Sequence, residues 1–511
     1  MVRNVLEYLE NSAVKYPGKI ALDDDKKTIT YANLCKEARA LGTAIGENNC
    51  ERRPIAVFMP KGCDCVTAFL GVVYSGGFYC PIDVTMPLER ISLIMDILKP
   101  AMIITNKANA SKVEKFKGDR ILLYFEDAIC TVVNEEYLKR VRSNAIDTDP
   151  LYVFFTSGST GVPKGVVLPQ KSIIDLVEAT TEMLDLSDSD IWGNQAPFYF
   201  DLSVFDMYCA LGTGATLCII PKKKFAFPID LLRYLDEKKI TVIDWVPSVI
   251  CNVANLKALD VVVPSSLKTI IFCGEVMPNK QLNVWRQKMP DRVYVNMYGP
   301  TEIAYACTYH IVKDQYQDDE SLPIGKPFPN TKIIVLNEQN EAASIGEVGE
   351  LCVAGSCLAL GYYNNKEKTE AAFVRNPLNK AYPEVIYRTG DLVKYNNKGE
   401  LLYLSRKDFQ IKHLGHRIEL GEIEAAMGKI QDIDNCACVY DENAKEICMC
   451  YTGQEKTPIQ LTEYLKTKLT SYMLPQRYVY MKELPYNANG KIDRIVLKKI
   501  AEEMNNTNET R

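Results

Sequence analysis

Leu151-Tyr-Val-Phe-Phe155 runs directly into Thr156-Ser-Gly-Ser-Thr-Gly-Val-Pro-Lys-Gly165. A short β-branched and aromatic run that empties into a loop of hydroxyl and glycine residues predicts a buried strand ending in an anion-binding turn. Gly158 and its fellow glycines permit close backbone approach. The hydroxyls of Thr156, Ser157, Ser159 and Thr160 add donors, and Lys164 adds positive charge. Phosphate is the guest that suits such a loop. A Ser/Gly surface linker, the plainer alternative, explains neither the apolar run before it nor the Pro-Lys-Gly that closes it. It is not a Walker A loop either, because Gly165 rather than Ser or Thr follows Lys164.

The stretch resembles the phosphate loop of the adenylate-forming superfamily, which takes in acyl-CoA synthetases, luciferases and amino-acid adenylation domains. Other motifs follow in that superfamily's order across nearly the whole chain. Gly76-Gly-Phe-Tyr-Cys-Pro-Ile-Asp83 is similar to a structural segment of amino-acid adenylation domains. Asn194-Gln-Ala-Pro-Phe-Tyr-Phe-Asp-Leu-Ser-Val-Phe-Asp206 sets the acid Asp201 in aromatic and apolar company. A buried carboxylate needs a partner, none is close in sequence, and an incoming ammonium would serve. The competing reading makes Asp201 the N-cap of a helix that starts at Leu202. In the adenylation domains it resembles, the matching acid holds the substrate's amino group.

Asn296-Met-Tyr-Gly-Pro-Thr-Glu302 is similar to the family's nucleotide motif. The resemblance places Asn296, Tyr298, Gly299 and Thr301 at ATP, with Tyr298 stacked on adenine and Thr301 at the α-phosphate, and it assigns Glu302 to Mg²⁺. Each role suits its side chain: a π-face for a base, a hydroxyl for an anionic oxygen, a hard carboxylate for a hard cation. Tyr387-Arg-Thr-Gly-Asp391 implies a ribose contact for Asp391. Ser405-Arg-Lys-Asp408 resembles the family's hinge, with Arg406 at the ribose, Asp408 the pivot and Arg417 within reach of nucleotide phosphate. The Asn487-Ala-Asn-Gly-Lys-Ile-Asp-Arg494 turn carries Lys491, which the resemblance makes catalytic together with Thr301 and Glu302. A solvated lysine on a tight turn is the bland alternative.

A chain of 511 residues, 47% of them hydrophobic, is long enough for more than one core. Apolar strands alternating with helices over 29–105 imply an α/β fold with largely parallel, covered sheets. Strands are expected at 29–34, 54–59 and 101–105 and a helix at 63–74. The expected organisation is a large N-terminal adenylation core over 1–407, a small mobile α+β domain over 408–500 with helices near 421–430 and 459–469, and a disordered polar tail over 501–511. Net charge near −5 gives no general affinity for nucleic acid or anionic membrane. No apolar run reaches the roughly 20 residues of a membrane span, so no membrane insertion is expected. Residues 1–19 read as an amphipathic helix rather than a secretory signal, with Val5, Leu6, Leu9 and Ala13 on one face, which predicts a cytoplasmic protein whose seventeen cysteines stay reduced. The Cys-x-Cys pairs read as strand fillers, and three histidines make a histidine metal site improbable.

The resemblance implies a ligase that uses ATP and Mg²⁺ to form an aminoacyl-adenylate and then a carbon–sulfur bond to the phosphopantetheine thiol of a carrier protein. By position, Asp201, Leu202, Phe205, Ser248, Ile271, Cys273, Met297, Tyr305 and Ala306 would line the amino-acid pocket. Bulky Met297, Phe205 and Tyr305 leave little volume and favour a small amino acid. The Asn194–Asp206 stretch together with Phe272-Cys-Gly-Glu-Val276 resembles D-alanine:D-alanyl carrier protein ligases, which serve teichoic acid decoration. That makes D-alanine the leading substrate and Cys273 a candidate selector of the D form. A stand-alone nonribosomal-peptide adenylating enzyme for glycine, L-alanine or another amino acid is the alternative. A luciferase-like oxidoreductase and a non-catalytic nucleotide sensor rank below it.

Overall fold

The computed structural model describes residues 2–158, 162–486 and 492–508, with side chains through 503. Ser159, Thr160 and Lys491 lie outside the described residues. The chain divides into two compact units. The first comprises Met1–Val84, Leu98–Phe154 and Gly165–Lys407, and the second Thr85–Ile97, Phe155–Lys164 and Asp408–Arg511. Two segments that the sequence reading places in the core domain, 85–97 and 155–164, therefore cluster with the C-terminal residues.

The first unit is built on three sheets. Among the described residues a nine-stranded sheet runs in the order Lys326–Pro327, Thr308–Ile311, Val293–Tyr298, Thr269–Phe272, Val242–Trp245, Ile191–Asn194, Thr216–Ile219, Ile20–Asp23, Thr28–Thr30. The six strands from Val293–Tyr298 to Ile20–Asp23 pair in parallel, and antiparallel strands close both edges. These parallel strands are short and almost wholly apolar, as strands covered on both faces must be. Register aligns Asn194, Asp244, Ile271 and Val295 across four neighbouring strands. Side chains in such a row share one face of the sheet.

A seven-stranded sheet follows the order Gly361–Tyr362, Lys164–Pro169, Pro150–Thr156, Phe78–Ile82, Pro54–Phe58, Met102–Thr105, Ile121–Tyr124. The helix Cys63–Tyr74 lies where its apolar run predicts. The strand expected over 29–34 is shorter. Thr28–Thr30 is extended, and Thr30 Oγ1 then accepts the Asn33 N–H at 3.4 Å, capping the helix Tyr31–Gly46. The third sheet, of strands Thr331–Leu336, Gly349–Gly355, Val385–Tyr395, Phe373–Arg375 and Leu401–Arg406, is antiparallel throughout. Parallel sheets with helices are thus joined by an antiparallel one, a mixed α/β architecture.

The second unit contains the hairpin Gln410–His413/His416–Glu419, whose turn residues Leu414 and Gly415 both have positive φ, 51° and 78°. Two consecutive left-handed residues match a type I′ connection. Next come the helix Leu420–Met427 and a three-stranded sheet of Ile433–Asp441, Glu446–Gly453 and Arg477–Tyr480. The helix Pro458–Leu465 is closed by a capping box between Thr457 and Gln460, and Arg494–Asn508 is also helical. That last helix covers 501–508, part of the stretch read as a tail. Ile418, Ile423, Met427, Met449 and Leu461 form this unit's core.

All seventeen cysteines carry thiols; thirteen are buried, three are half-buried, and Cys130 is exposed. Among the described residues no helix is long and apolar enough to cross a membrane.

Candidate active site

Tyr298 ends the strand Val293–Tyr298, and its hydroxyl donates to the carboxylate of Asp391. Asp391 lies opposite Arg406 in the strand register, and Arg406 Nη1 donates to Asp391 Oδ1 at 2.6 Å. Both members of this ion pair are buried. A buried pair of this kind holds its geometry because losing either partner strands a charge. Three residues assigned to adenine and ribose, more than ninety positions apart at their extremes, are thereby brought together. The amide of Asn296, also assigned to ATP, donates to the Pro323 carbonyl at 2.8 Å, bracing the strand end.

The chain then doubles back. A Cβ on Gly299 would lie 2.5 Å from the Tyr305 carbonyl oxygen and 2.6 Å from Ala306 Cα, so no other residue fits. Thr301–Ile303 form a short 3₁₀ turn, followed by Ala304 and Tyr305 at φ 58° and 81°. Two successive non-glycine residues in the left-handed region are strained and persist only where their surroundings fix them.

Asp201 stands just before the helix Leu202–Thr213, yet its side chain makes no cap hydrogen bond, so the N-cap reading fails. Burial is the main influence that raises its carboxyl from the usual 3.8 to about 6; the hydroxyl of Thr301 and the Leu202 N–H pull downward, and the charge of Glu302 pushes upward. Asp201 is thus an acid held short of a full partner, beside the residue assigned to the α-phosphate. Leu202, Phe205, Ile271, Cys273, Met297, Tyr305 and Ala306 all belong to one contiguous buried cluster. Phe205 and Tyr305 stack at 4.7 Å between ring centroids with 13° between planes. Ser248 is half-buried and donates its backbone N–H to Glu275 Oε2 at 2.9 Å.

Hydrogen-bonded to one of these residues, Tyr305, is an acid that sequence reasoning missed. Tyr305 donates its hydroxyl to Asp244 Oδ2 at 2.9 Å, and Asn194 donates to Asp206 Oδ2 at 2.7 Å. Burial pushes both Asp244 and Asp206 well above the carboxylate range. Lys61 Nζ donates to the carbonyls of Gln195 and Asn194 at 3.0 and 3.4 Å, and burial draws its ammonium down to about 7 against the charge of Asp206. Asn194 and Asp206 bracket the very stretch that drew attention to Asp201. An acid in the apolar run Thr241-Val-Ile-Asp-Trp245 was a visible signal for Asp244.

In the second unit, Ser157 Oγ donates to the Arg417 carbonyl at 2.8 Å and accepts the Glu419 N–H at 3.1 Å. Gly158 N–H donates to Glu422 Oε2 at 3.2 Å, Glu422 pairs with Arg90, and Lys164 Nζ lies 3.8 Å from Glu419 Oε1. Two of the loop's anion-binding groups thus already face carboxylates. Thr156 Oγ1 reaches the Lys164 carbonyl at 3.5 Å. Arg417 Nε donates to Gln410, whose own N–H is held by Asp408 at 3.2 Å.

The family resemblance assigns Mg²⁺ to Glu302. Its carboxylate is fully buried, and one oxygen accepts the Tyr362 hydroxyl at 2.8 Å. A carboxylate is a hard oxygen ligand of the kind a hard cation prefers. Among the described residues no group of three metal-ligating side chains exists. One carboxylate plus phosphate oxygens is the usual Mg²⁺ arrangement at nucleotides, and Glu302 fits it.

Comparison with known proteins gives the family. Residues 9–363 match the model for AMP-binding enzymes and 422–491 the model for the AMP-binding enzyme C-terminal domain. The chain is 32% identical over 502 residues to tyrocidine synthase 1 of Brevibacillus parabrevis, covering 97% of this chain and 45% of that protein. It is 32% identical over 499 residues to gramicidin S synthase 1 of Brevibacillus brevis, covering 96% and 44%. It therefore spans less than half of either relative. In structure it is similar to the Vibrio cholerae adenylation domain AlmE in complex with glycyl-adenosine-5'-phosphate, with a TM-score of 0.83, 22% identity and 98% of each chain covered. It is also similar to an artificially fused adenylation–PCP di-domain from Klebsiella oxytoca, with a TM-score of 0.81, 21% identity and 94% of each covered. The Tyr298–Asp391–Arg406 constellation, the glycine-dependent turn before Glu302 and a family model spanning most of the sequence converge: the chain belongs to the AMP-binding enzyme family of the adenylate-forming superfamily.

Proposed function

We propose that this enzyme activates a small amino acid with ATP, forming an aminoacyl-adenylate, and passes the acyl group to the phosphopantetheine thiol of a carrier protein. The observation that carries the reading is the buried Asp201 carboxylate beside Thr301, together with the Phe205–Tyr305 stack among the residues assigned to the amino acid. A carboxylate there suits an α-ammonium, the adjoining hydroxyl suits the α-phosphate, and the stack limits side-chain size.

In the first step the amino acid's carboxylate oxygen attacks the α-phosphorus of ATP, forming the acyl–phosphate bond as the bond to pyrophosphate breaks. The nucleophile is already ionised, so positioning and charge neutralisation do the work. Asp201 orients the ammonium, Tyr298 and the Asp391–Arg406 pair seat the nucleoside, and Thr301 and Lys164 meet phosphate oxygens. Lys491, outside the described residues, is assigned to the reacting carboxylate by its motif. Mg²⁺ held by Glu302 would neutralise phosphate charge. In the second step the thiol sulfur attacks the mixed anhydride, its proton leaves, and AMP departs. Asp408 is the proposed pivot between the steps.

D-alanine is the first candidate, with Cys273, buried at the end of the strand Thr269–Phe272, as the residue that would sense configuration. Similarity to tyrocidine and gramicidin S synthases supports a second reading, another amino acid delivered to a peptide-synthetase carrier. The glycyl-adenylate bound by the Vibrio cholerae domain keeps glycine in the panel. ATP–pyrophosphate exchange against glycine and both configurations of each amino acid tests the proposal. Exchange restricted to small amino acids supports it, and exchange with none refutes it.

A further inference from the structure

We infer that Asp244 is a specificity-setting positioning residue: by accepting the Tyr305 hydroxyl it holds that ring flat on Phe205 and so fixes the depth of the amino-acid pocket. The inference rests on the adenylation reading above and names a residue no motif assigns. Asp244 is fully buried in an otherwise apolar strand, where an acid costs free energy that valine or leucine would not. Among the described residues the Tyr305 hydroxyl is its hydrogen-bond partner, at 2.9 Å to Oδ2, and Oδ1 has none. Its place in the row Asn194, Asp244, Ile271 puts it on the face that carries the pocket residue Ile271.

Tyr305 needs such an anchor. Its backbone and that of Ala304 are left-handed, a conformation a tyrosine leaves readily unless something holds it. Ring stacking on Phe205 fixes one side, and the hydrogen bond fixes the rotation of the ring about its long arm. With the bond intact, the phenol fills the space where a longer substrate side chain would lie. Without it, the ring is free to tilt and the pocket deepens. A merely structural acid would support the strand without regard to which amino acid enters.

The test uses the full chain carrying Tyr305→Phe, Asp244→Val or Asp244→Asn, with ATP–pyrophosphate exchange as readout. The quantity is the ratio of kcat/KM for the best small amino acid to that for leucine or phenylalanine. Losing a buried hydrogen bond should lower this ratio about tenfold in Tyr305→Phe and Asp244→Val. The fall should appear as a raised KM for the small substrate and new exchange with the bulky ones, at unchanged KM for ATP. Asp244→Asn keeps an acceptor oxygen and should retain the ratio within about twofold. Tyr305→Phe removes a single oxygen atom and keeps the test valid if Asp244→Val fails to fold. An unchanged ratio in Tyr305→Phe overturns the inference, as does a uniform loss of activity toward every amino acid. Wild-type enzyme that exchanges with no amino acid refutes the underlying function and the inference with it.

Discussion

Replacing Asp201 by asparagine should make the protein more stable and nearly inactive at once. Burial lifts the carboxyl of Asp201 from the usual 3.8 to about 6. Its folded-state proton affinity exceeds the unfolded one, so the carboxyl favours the fold fully below pH 3.8 and loses that contribution as pH rises through about 6. At roughly 1.4 kcal/mol per tenfold change in proton equilibrium, holding it ionised at pH 7 costs the substrate-free protein about 3 kcal/mol. Asparagine is neutral and still offers Thr301 an acceptor, so Asp201→Asn should gain about 1–3 kcal/mol at pH 7 and almost nothing at pH 4. The substrate's ammonium, in contrast, loses its buried counter-charge, about 3–5 kcal/mol, so exchange should fall by roughly two to four orders of magnitude in kcat/KM. Thermal unfolding at the two pH values and exchange kinetics measure both halves. In the wild type, the amino-acid KM should rise about tenfold per pH step below about 6, where Asp201 takes up its proton, while the KM for ATP stays flat. A variant that is destabilised at pH 7 and still exchanges would refute the reasoning.

Gly299→Ala should destabilise the fold by about 2–3 kcal/mol and abolish exchange, because its Cβ meets backbone atoms at 2.5 and 2.6 Å; denaturant midpoints check the first and exchange the second. Arg406→Ala strands the buried Asp391 and should raise the KM for ATP at least tenfold with the amino-acid KM unchanged, read by varying each substrate in turn. Lys491→Ala should lower adenylate formation by several orders of magnitude while calorimetric ATP affinity stays within a few-fold, separating its role in the reaction from nucleotide binding.

Much of the candidate nucleotide site was legible because its residues sit in contiguous motifs. Tyr298, Thr301 and Glu302 come from one short segment, and the strand register that sets Asp391 opposite Arg406 only completes what two separate motifs imply. The rule that found Asp201, an acid in apolar company, applies equally to Asp244, but no neighbouring motif singled it out. Its partner Tyr305 lies 61 residues later, and the left-handed backbone that presents that ring leaves no mark in a non-glycine residue type. Pairing of Arg90 with Glu422 spans 332 positions and was invisible for the same reason. The antiparallel third sheet escaped because pairing partners far apart in sequence leave no local mark, and a register shift interrupts Val385–Tyr395 against both Gly349–Gly355 and Leu401–Arg406.

Thiols stored in the interior give this protein a memory of having been unfolded. Each unfolding event releases thirteen buried sulfhydryls into solvent, and in air any two that meet can couple before the chain closes again. Molecules that open and refold under reductant return unchanged, whereas those that open without it are lost to cross-linked forms. The survival of activity on storage therefore counts openings rather than measuring the equilibrium between folded and unfolded chains. Half-life in air against half-life under reductant gives the rate at which the cores breathe.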